Sequence, residues 1–167
     1  VAINGDGFFQ IQMPNGTTGY TRDGGFHVDK TGSLVTAEGF QLEPNIVVPN
    51  EAIAIHVGDD GSVSATLSAQ ADAAQLGQIQ TASFINPAGL LNIGGNLMQE
   101  TTASGPAVIG VPGENGFGQL QAGFLELSNV AVVEEMVNLI TAQRAFEFNS
   151  KAVQASDQML RELGQLR

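Results

Sequence analysis

The chain has 167 residues, no cysteine, and 17 acidic against 6 basic residues, which gives a formal net charge of −11 at pH 7. The absence of cysteine excludes disulfides and thiolate metal sites, and no apolar run is long enough to predict a membrane span. The charge is uneven, because residues 1–126 hold twelve acids and two bases whereas residues 127–167 hold five and four. Such a negative body repels phosphate and anionic lipid, so the composition argues against nucleic-acid binding and membrane insertion.

The first residues, VAINGDGFF, have the pattern of a strand and a turn, and the chain does not begin with Met. We therefore expect the complete gene product to carry a further segment before Val1, which is a candidate partner for other parts of the chain. Removal of a signal peptide is the other origin of such a start.

Residues 1–126 have the pattern of a β-rich body. Apolar and polar residues alternate in three runs, as in strands with one buried face. These runs are 9–13, 53–57 and 63–67. Asn-Gly and Asp-Gly pairs between the runs supply the positive φ angles that tight hairpins need. The body is therefore predicted to be a small antiparallel β barrel or sandwich.

A segment rich in Gly and Pro follows these strands, at about residues 86–119. Its composition predicts a long connection, and because long loops are rare inside compact domains, we expect part of it to be ordered against a neighbour. Residues 119–127, QLQAGFLEL, are then predicted to return as a strand that leads into the C-terminal region.

Residues 127–167 have the pattern of one long amphipathic helix with Ser128 or Asn129 as its N-cap. Roughly 38 helical residues make a rod of about 57 Å. The fold class is thus mainly β with a long C-terminal α-helix, an α+β arrangement. Apolar and small residues recur at heptad a and d positions. We predict that these residues form the interface to other helices and subunits: Val132, Leu139, Ala142, Phe146, Asn149, Val153, Ser156, Leu160 and Leu163.

The apolar stripe of this helix needs a partner, because a body of some 125 residues has a radius of gyration of only about 14 Å. Much of the stripe must therefore pack against helices from another segment or another subunit. The polar residues Asn149, Ser156 and Gln143 lie in or near the stripe. They either fix the register of the contact, as a buried polar residue does in a coiled coil, or face water.

Residues that could carry chemistry are few. His27 and His56 are the only histidines, and His56 falls on the polar side of an alternating strand. Residues 29–33 and 59–62 resemble calcium loops, but Phe40 stands where a calcium loop beginning at residue 29 needs a glutamate, so hairpin turns are predicted instead. No nucleotide-binding or zinc-protease motif is present. We predict no catalytic, cofactor-binding or metal site.

Charged residues near the first turns allow one further interpretation. Arg22, Asp23 and Glu38 could form an acidic site with one cation, although surface ion pairing is the simpler prediction. An extracellular binding module is another class of function to weigh against a structural role. The chain has no tryptophan and a single tyrosine, Tyr20, which leaves little aromatic surface for stacking on sugars.

Three stretches together resemble the bacterial flagellar axial proteins, the rod and hook family. They are AINGDGFFQI, YTRDGGFHVDKTGSLVTAEGFQL and LELSNVAVVEEMVNLITAQRAFEFNSKAVQASDQML. Within that family the chain is most similar to subunits of the distal rod, with proximal rod and hook-type subunits as the alternatives. Hook proteins of this family carry a large extra domain inside the β body, for which this chain has no room.

The resemblance implies a non-enzymatic building block that polymerises helically into a hollow drive shaft, which transmits torque and encloses an export channel. It also implies that the C-terminal helix pairs with an N-terminal helix of the same subunit in an inner layer. Neighbouring rod and hook proteins are then the expected partners. The implied location is the periplasmic rod of the basal body, reached through the flagellar export apparatus.

Overall fold

The computed structural model describes residues 1–67 and 73–165, except for the side chains of residues 157, 160 and 162–165 in the helix. The chain forms two compact units, Val1–Glu126 and Leu127–Arg167. The first unit contains antiparallel sheets and the second contains one helix. The predicted fold class, mainly β with a long C-terminal α-helix, is confirmed.

The body, residues 1–126, contains fourteen described strands and one short 3₁₀ turn, Pro87–Gly89. The strands are β1 (Ala2–Asn4), β2 (Phe8–Gln12), β3 (Thr18–Thr21), β4 (His27–Val28), β5 (Leu34–Val35), β6 (Gln41–Glu43), β7 (Ala52–Val57), β8 (Ser62–Leu67), β9 (Ala73–Gln78), β10 (Thr81–Ser83), β11 (Leu91–Gly94), β12 (Leu97–Gln99), β13 (Val108–Gly110) and β14 (Gln119–Gln121).

These strands form three sheets. The largest has nine strands in the order β11-β12-β3-β2-β6-β5-β4, with β10 pairing both β2 and β13. A second sheet is the meander β7-β8-β9, and a third pairs β1 with β14. Within the described residues the sheets stay open and do not close into a barrel, so of the two predicted alternatives the sandwich-like arrangement is the closer.

The core of the body draws on all three sheets. Ile3 and Leu120 come from the two-stranded sheet, Phe9 and Leu42 from the large one, and Val63 from the meander, and all belong to one buried cluster. The Phe9 ring packs edge-on against Phe26 at a centroid distance of 5.1 Å. A smaller cluster joins Tyr20, Ala82 and Phe84. Because the apolar faces of the sheets meet one another, the body buries its own core.

The turn prediction is confirmed most clearly where the meander turns at Gly61, which has a φ of 81°. A Cβ atom there would lie 2.5 Å from the carbonyl oxygen of Ile79, whose own N–H donates to the Gly61 carbonyl at 2.7 Å. Only glycine combines this left-handed backbone with so close an approach. The Asp60-Gly61 pair in the sequence therefore marks a required turn.

The face prediction for β7, in which Ile53, Ile55 and Val57 share the buried side, is confirmed for Val57 and fails for Ile53. Ile55 and Val57 pair with Ala65 and Val63, which are fully buried, so both lie on the core face, and Val57 packs against the core. Ile53 is exposed beside a register shift between Ala52 and Ala54. Alternation identified the strand but not this bulge.

The Gly- and Pro-rich segment 86–119 differs from a simple connection. It carries three strands, β11, β12 and β13, which join the large sheet. Gly94, the last residue of β11, and Gly95, in the turn to β12, both have positive φ. The strand predicted over 119–127 is limited to β14 at Gln119–Gln121, where it pairs with β1.

The second unit contains α1, Val132–Gln165. The helix begins later than predicted, because Ala131 rather than Ser128 or Asn129 accepts the first helical hydrogen bond, from the Glu135 N–H at 3.1 Å. Its 34 residues correspond to a length of about 51 Å. Glu134 and Glu135 lie in the first turn, where the helix dipole favours negative charge.

Candidate assembly surface

The predicted interface residues all belong to α1. Seven of them are described with their side chains, and all seven are exposed within this chain. The other two, Leu160 and Leu163, have side chains outside the described part. Phe146 is 76% exposed and Leu139 is 58% exposed. Exposure of side chains of this size along one helix leaves a large apolar area in water.

Leu139, Ala142 and Phe146 are brought together by the helix geometry. They line one open groove on α1, together with Gln143 and Glu147. Residues three and four apart lie on the same side of a helix, so the a and d positions form a continuous ridge here. These three members of the predicted interface thus form a single exposed surface.

The stripe also turns slowly around the helix. Seven residues fall about 20° short of two full turns, so that Val132 and Val153 are about 60° apart around a straight helix. A partner that follows the whole stripe must therefore wind around α1 with a left-handed twist. Such a winding is the geometry of a coiled coil.

A second apolar side of α1 was missed by the heptad interpretation. Val133, Met136, Val137 and Ile140 are all exposed, and their spacing places them on one side of the helix. Phe148 is 74% exposed and lies about 200° around the helix from Phe146. The i, i+3, i+4, i+7 spacing was visible in the sequence and could have identified this side. With apolar side chains on more than one side, α1 has room for more than one helical partner.

Arg22, directly after β3, has a side chain that donates hydrogen bonds to four other residues of the body. Its guanidinium donates to the carbonyl oxygens of Ile3, Gly5 and Gly7 at 3.2, 2.8 and 2.7 Å. Its Nε donates to a carboxylate oxygen of Glu126 at 2.8 Å. The prediction of surface ion pairing for Arg22 is therefore confirmed, but with Glu126 as the partner rather than Asp23 or Glu38.

The two acidic loops are hairpin turns held by their own carboxylates. The Asp29 carboxylate accepts hydrogen bonds from the Thr31 hydroxyl and from the backbone N–H groups of Thr31 and Ser33. The Thr31 hydroxyl is the main cause that lowers the pKa of Asp29. In the same way, the Ser62 hydroxyl lowers the pKa of Asp60. These lone pairs are engaged in stabilising turns, as predicted for both loops.

The remaining candidates for chemistry lie apart from one another. His27 and His56 are both exposed, as was predicted for His56. Among the side chains that the structure describes, no three acidic, histidine or cysteine groups are placed to hold a metal ion. In the same part of the chain, no helix is long and apolar enough to cross a membrane.

Two family sequence models match the chain, one in each unit. The model described as "Flagellar hook protein FlgE/F/G D1 domain" matches residues 2–65 of the body. The model described as "Flagellar basal body rod FlgEFG protein C-terminal" matches residues 121–166, which include α1. The matched regions contain both the Arg22 cluster and the apolar helix.

Individual relatives agree with the family models. The chain is 51% identical over 162 residues to the flagellar basal-body rod protein FlgG of Borreliella burgdorferi, covering 96% of this chain and 61% of that protein. It is 49% identical over 166 residues to the protein of the same name from Buchnera aphidicola subsp. Schizaphis graminum, covering 99% of this chain and 64% of that protein.

A hook protein matches a smaller share of the chain. The flagellar hook protein FlgE of Salmonella typhimurium is 39% identical over 119 residues, which are 71% of this chain and 29% of that protein. Even the rod proteins are longer, since the chain spans a little over three fifths of their length. With two family models matching its body and its helix, and about half of its residues identical to those of rod proteins, this chain belongs to the flagellar rod and hook protein family.

Proposed function

We propose that this chain is the larger part of a structural subunit of the flagellar distal rod. The observation that carries the proposal is the identity of 51% to a basal-body rod protein over 96% of the chain, against 39% to a hook protein over 71%. The subunit polymerises helically into a hollow shaft that transmits torque and encloses the export channel. It acts in the periplasmic part of the basal body and reaches it through the flagellar export apparatus.

The role of the subunit is mechanical and not enzymatic, and it needs no cofactor. The proposal is supported by the apolar surface of α1, where Leu139, Phe146, Phe148 and further large apolar side chains are exposed. Exposed Leu, Val and Phe side chains on α1 are suited to packing against other helices. Its partners are therefore further copies of the same protein and the neighbouring rod and hook proteins.

The two units divide this role. Residues 1–126 form the β body, and residues 127–167 supply the helix of the inner layer. The predicted surface from Val132 to Leu163 pairs with an N-terminal helix of the same subunit and with helices of adjacent subunits. A helical polymer repeats heterologous contacts that do not close, so one subunit must present at least two different contact surfaces. The two apolar sides of α1 meet that requirement.

Complementation tests this proposal against its alternatives. The complete gene product is expressed in three strains of a motile bacterium, which lack the distal rod, proximal rod or hook gene, and isolated basal bodies are imaged by electron microscopy. We expect full-length rods carrying hooks in the strain that lacks the distal rod gene. Rescue of either other strain in its place would assign the chain to the proximal rod or to the hook. Export is checked separately, because a secretion failure resembles an assembly failure.

A further inference from the structure

The segment that joins the body to the helix is held at one point. Residues 122–131 lie between β14 and α1 and form no strand or helix. In the described part of the chain, the contact of Glu126 with Arg22 is the single side-chain hydrogen bond or ion pair made by this segment. Glu126 is also the last residue of the first compact unit.

Arg22 connects this point to the opposite end of the body sequence. Its other donors bind the carbonyl oxygens of Ile3, Gly5 and Gly7, which belong to β1 and to the turn after it. Strand β1 in turn pairs with β14, the strand from which the segment leaves. The guanidinium therefore fixes Glu126 against the backbone that supports the segment.

The chemistry of arginine suits this arrangement. A guanidinium is planar and presents five donors in a fixed fork, so it can bind three carbonyl oxygens and a carboxylate at once in defined directions. The Phe8 ring lies beneath it, with its centroid 5.9 Å from the guanidinium carbon. A lysine ammonium has only three donors at one point and could not make the same set of contacts.

The ion pair contributes to position more than to stability. The Arg22 and Glu126 side chains retain 27% and 42% of their exposure, and exposed ion pairs contribute little to the free energy of folding. Losing Glu126 leaves the three carbonyl contacts of Arg22 in place. The body is therefore expected to stay folded while the joining segment is freed.

We propose that Arg22 and Glu126 form a clasp that fixes where the chain leaves the β body, with Glu126 as the positioning residue. Residues 126 and 127 are the covalent link between the two units. If the chain has the proposed function, torque passes between the body and the helix through this link, and the clasp fixes its starting point. Without the contact between Arg22 and Glu126, residues 122–131 would have to twist or extend before they transmitted torque.

The clasp is tested first in the chain alone. The chain has no cysteine, so Ser128→Cys creates a unique site for a nitroxide spin label, two residues beyond Glu126. We expect a slow-motion component in its electron paramagnetic resonance spectrum, its weakening in Glu126→Gln, which keeps an acceptor but loses the charge, and its loss in Glu126→Ala, with the thermal midpoint of the body unchanged in both. About 1 M salt screens partly exposed charges, so it should weaken the slow component in the labelled chain that keeps Arg22 and Glu126. The same salt should have no effect on the spectrum of Glu126→Gln.

A matched control separates the clasp from a general effect of charge. Glu51→Gln removes one exposed carboxylate elsewhere on the body and should leave the label at residue 128 unchanged. A label at Thr17, on the turn between β2 and β3, should be unaffected by Glu126→Gln. Equal mobility at residue 128 with and without the Glu126 carboxylate would overturn the proposal.

The mechanical consequence is tested in cells, with the complete gene product. For Glu126→Gln we expect basal bodies with complete rods and hooks, together with a loss of rotation speed under high viscous load. Complete rods with unchanged rotation speed under load would refute the role of the clasp in transmitting torque. Whether the clasp itself exists would then be decided by the spin-label experiment. If the unaltered protein forms no rods in the complementation strain, the proposed function fails, whereas the label at residue 128 still decides the clasp.

Discussion

The β body buries large apolar side chains in a core, whereas the C-terminal helix exposes them. In the body, Phe9 is fully buried and Leu120 reaches the same core from a strand more than a hundred residues away. In the helix, Phe146 and Phe148 are each about three-quarters exposed on opposite sides. Because apolar burial is the main stabilising term in folding, the body is stabilised by its own core, whereas the helix exposes most of its large apolar side chains. We therefore expect the body to fold alone and the helix to be stabilised by partners.

The largest expected effect comes from placing a charge on the helix surface. Phe146→Asp should stop rod growth altogether in cells that make the complete protein, because an unpaired carboxylate would be buried at every subunit addition. Truncation of a buried aromatic already costs about 3–5 kcal/mol, and the contact repeats along the shaft. Electron microscopy of basal bodies measures the outcome, with export verified in the same strain.

The control for this experiment is Glu134→Gln, which neutralises an exposed glutamate of α1 that lies outside the groove lined by Phe146, with little change in size. It should support normal rods. The body of the Phe146→Asp protein should also unfold at an unchanged temperature, because Phe146 lies outside the body. If Phe146→Asp subunits are exported and build complete rods with hooks, the predicted helix stripe is not the assembly surface.

The reverse experiment concerns the core of the body. Phe9→Ala should lower the free energy of unfolding of the isolated chain by about 3–5 kcal/mol, because it leaves a cavity beside Phe26. Phe146→Ala should change it by less than about 0.5 kcal/mol in the same chain, as exposed substitutions usually do. Urea unfolding followed by the fluorescence of Tyr20, the sole tyrosine, reports on the body. Similar losses for the two variants would contradict the comparison.

The sequence predicted those features of the fold that depend on neighbouring residues, and it did not predict contacts between distant segments. The Asp60-Gly61 turn and strand β8 depend on neighbouring residues, and both were predicted. The pairing of β1 with β14 joins residues 2–4 to residues 119–121, and the sequence of neither segment identifies the strand with which it pairs. The bulge in β7 is similarly hidden, since the alternating pattern does not mark the register shift between Ala52 and Ala54, beside which Ile53 is exposed.

The candidate site shows the same limit. A heptad pattern predicted where the apolar stripe lies along α1, because helix geometry is regular. The contact of Arg22 with Glu126 spans 104 residues and could not be inferred from either position. The second apolar side of the helix was missed for a different reason, since its spacing was visible and was not separated from the heptad repeat.

A smaller effect is expected from salt, and it concerns the charge of the two units. The body holds twelve acids and two bases, and one of those bases, Arg22, is engaged with Glu126 inside the same chain. Raising the salt concentration from about 0.05 M to about 0.5 M shortens the screening length, which should weaken repulsion between bodies and speed polymerisation of the complete protein. Light scattering measures the rate. Slower growth in salt would mean that attractive charge pairs between subunits outweigh the repulsion.

The smallest expected effect lies in a single turn of the body. The Ser62 hydroxyl and N–H donate to Asp60 and hold the pKa of its carboxyl below the ordinary value of 3.8. A lowered pKa in the folded state means that the ionised carboxylate stabilises the body above pH 3.8, and that this contribution is lost as the pH falls through the lower, folded-state value. Asp60→Asn can still accept these hydrogen bonds but cannot ionise.

Asp60→Asn should therefore lower the urea midpoint slightly at pH 7, and the difference from the unaltered chain should shrink as the pH falls below 3.8. Urea unfolding at a series of pH values between neutral and strongly acidic measures this convergence. Asp59→Asn, which changes the neighbouring carboxylate, is the matched control for the loss of one negative charge, because the Asp59 side chain accepts no hydrogen bond within the described residues. A constant difference between Asp60→Asn and the unaltered chain at every pH would show that the turn depends on the shape of residue 60 and not on its charge.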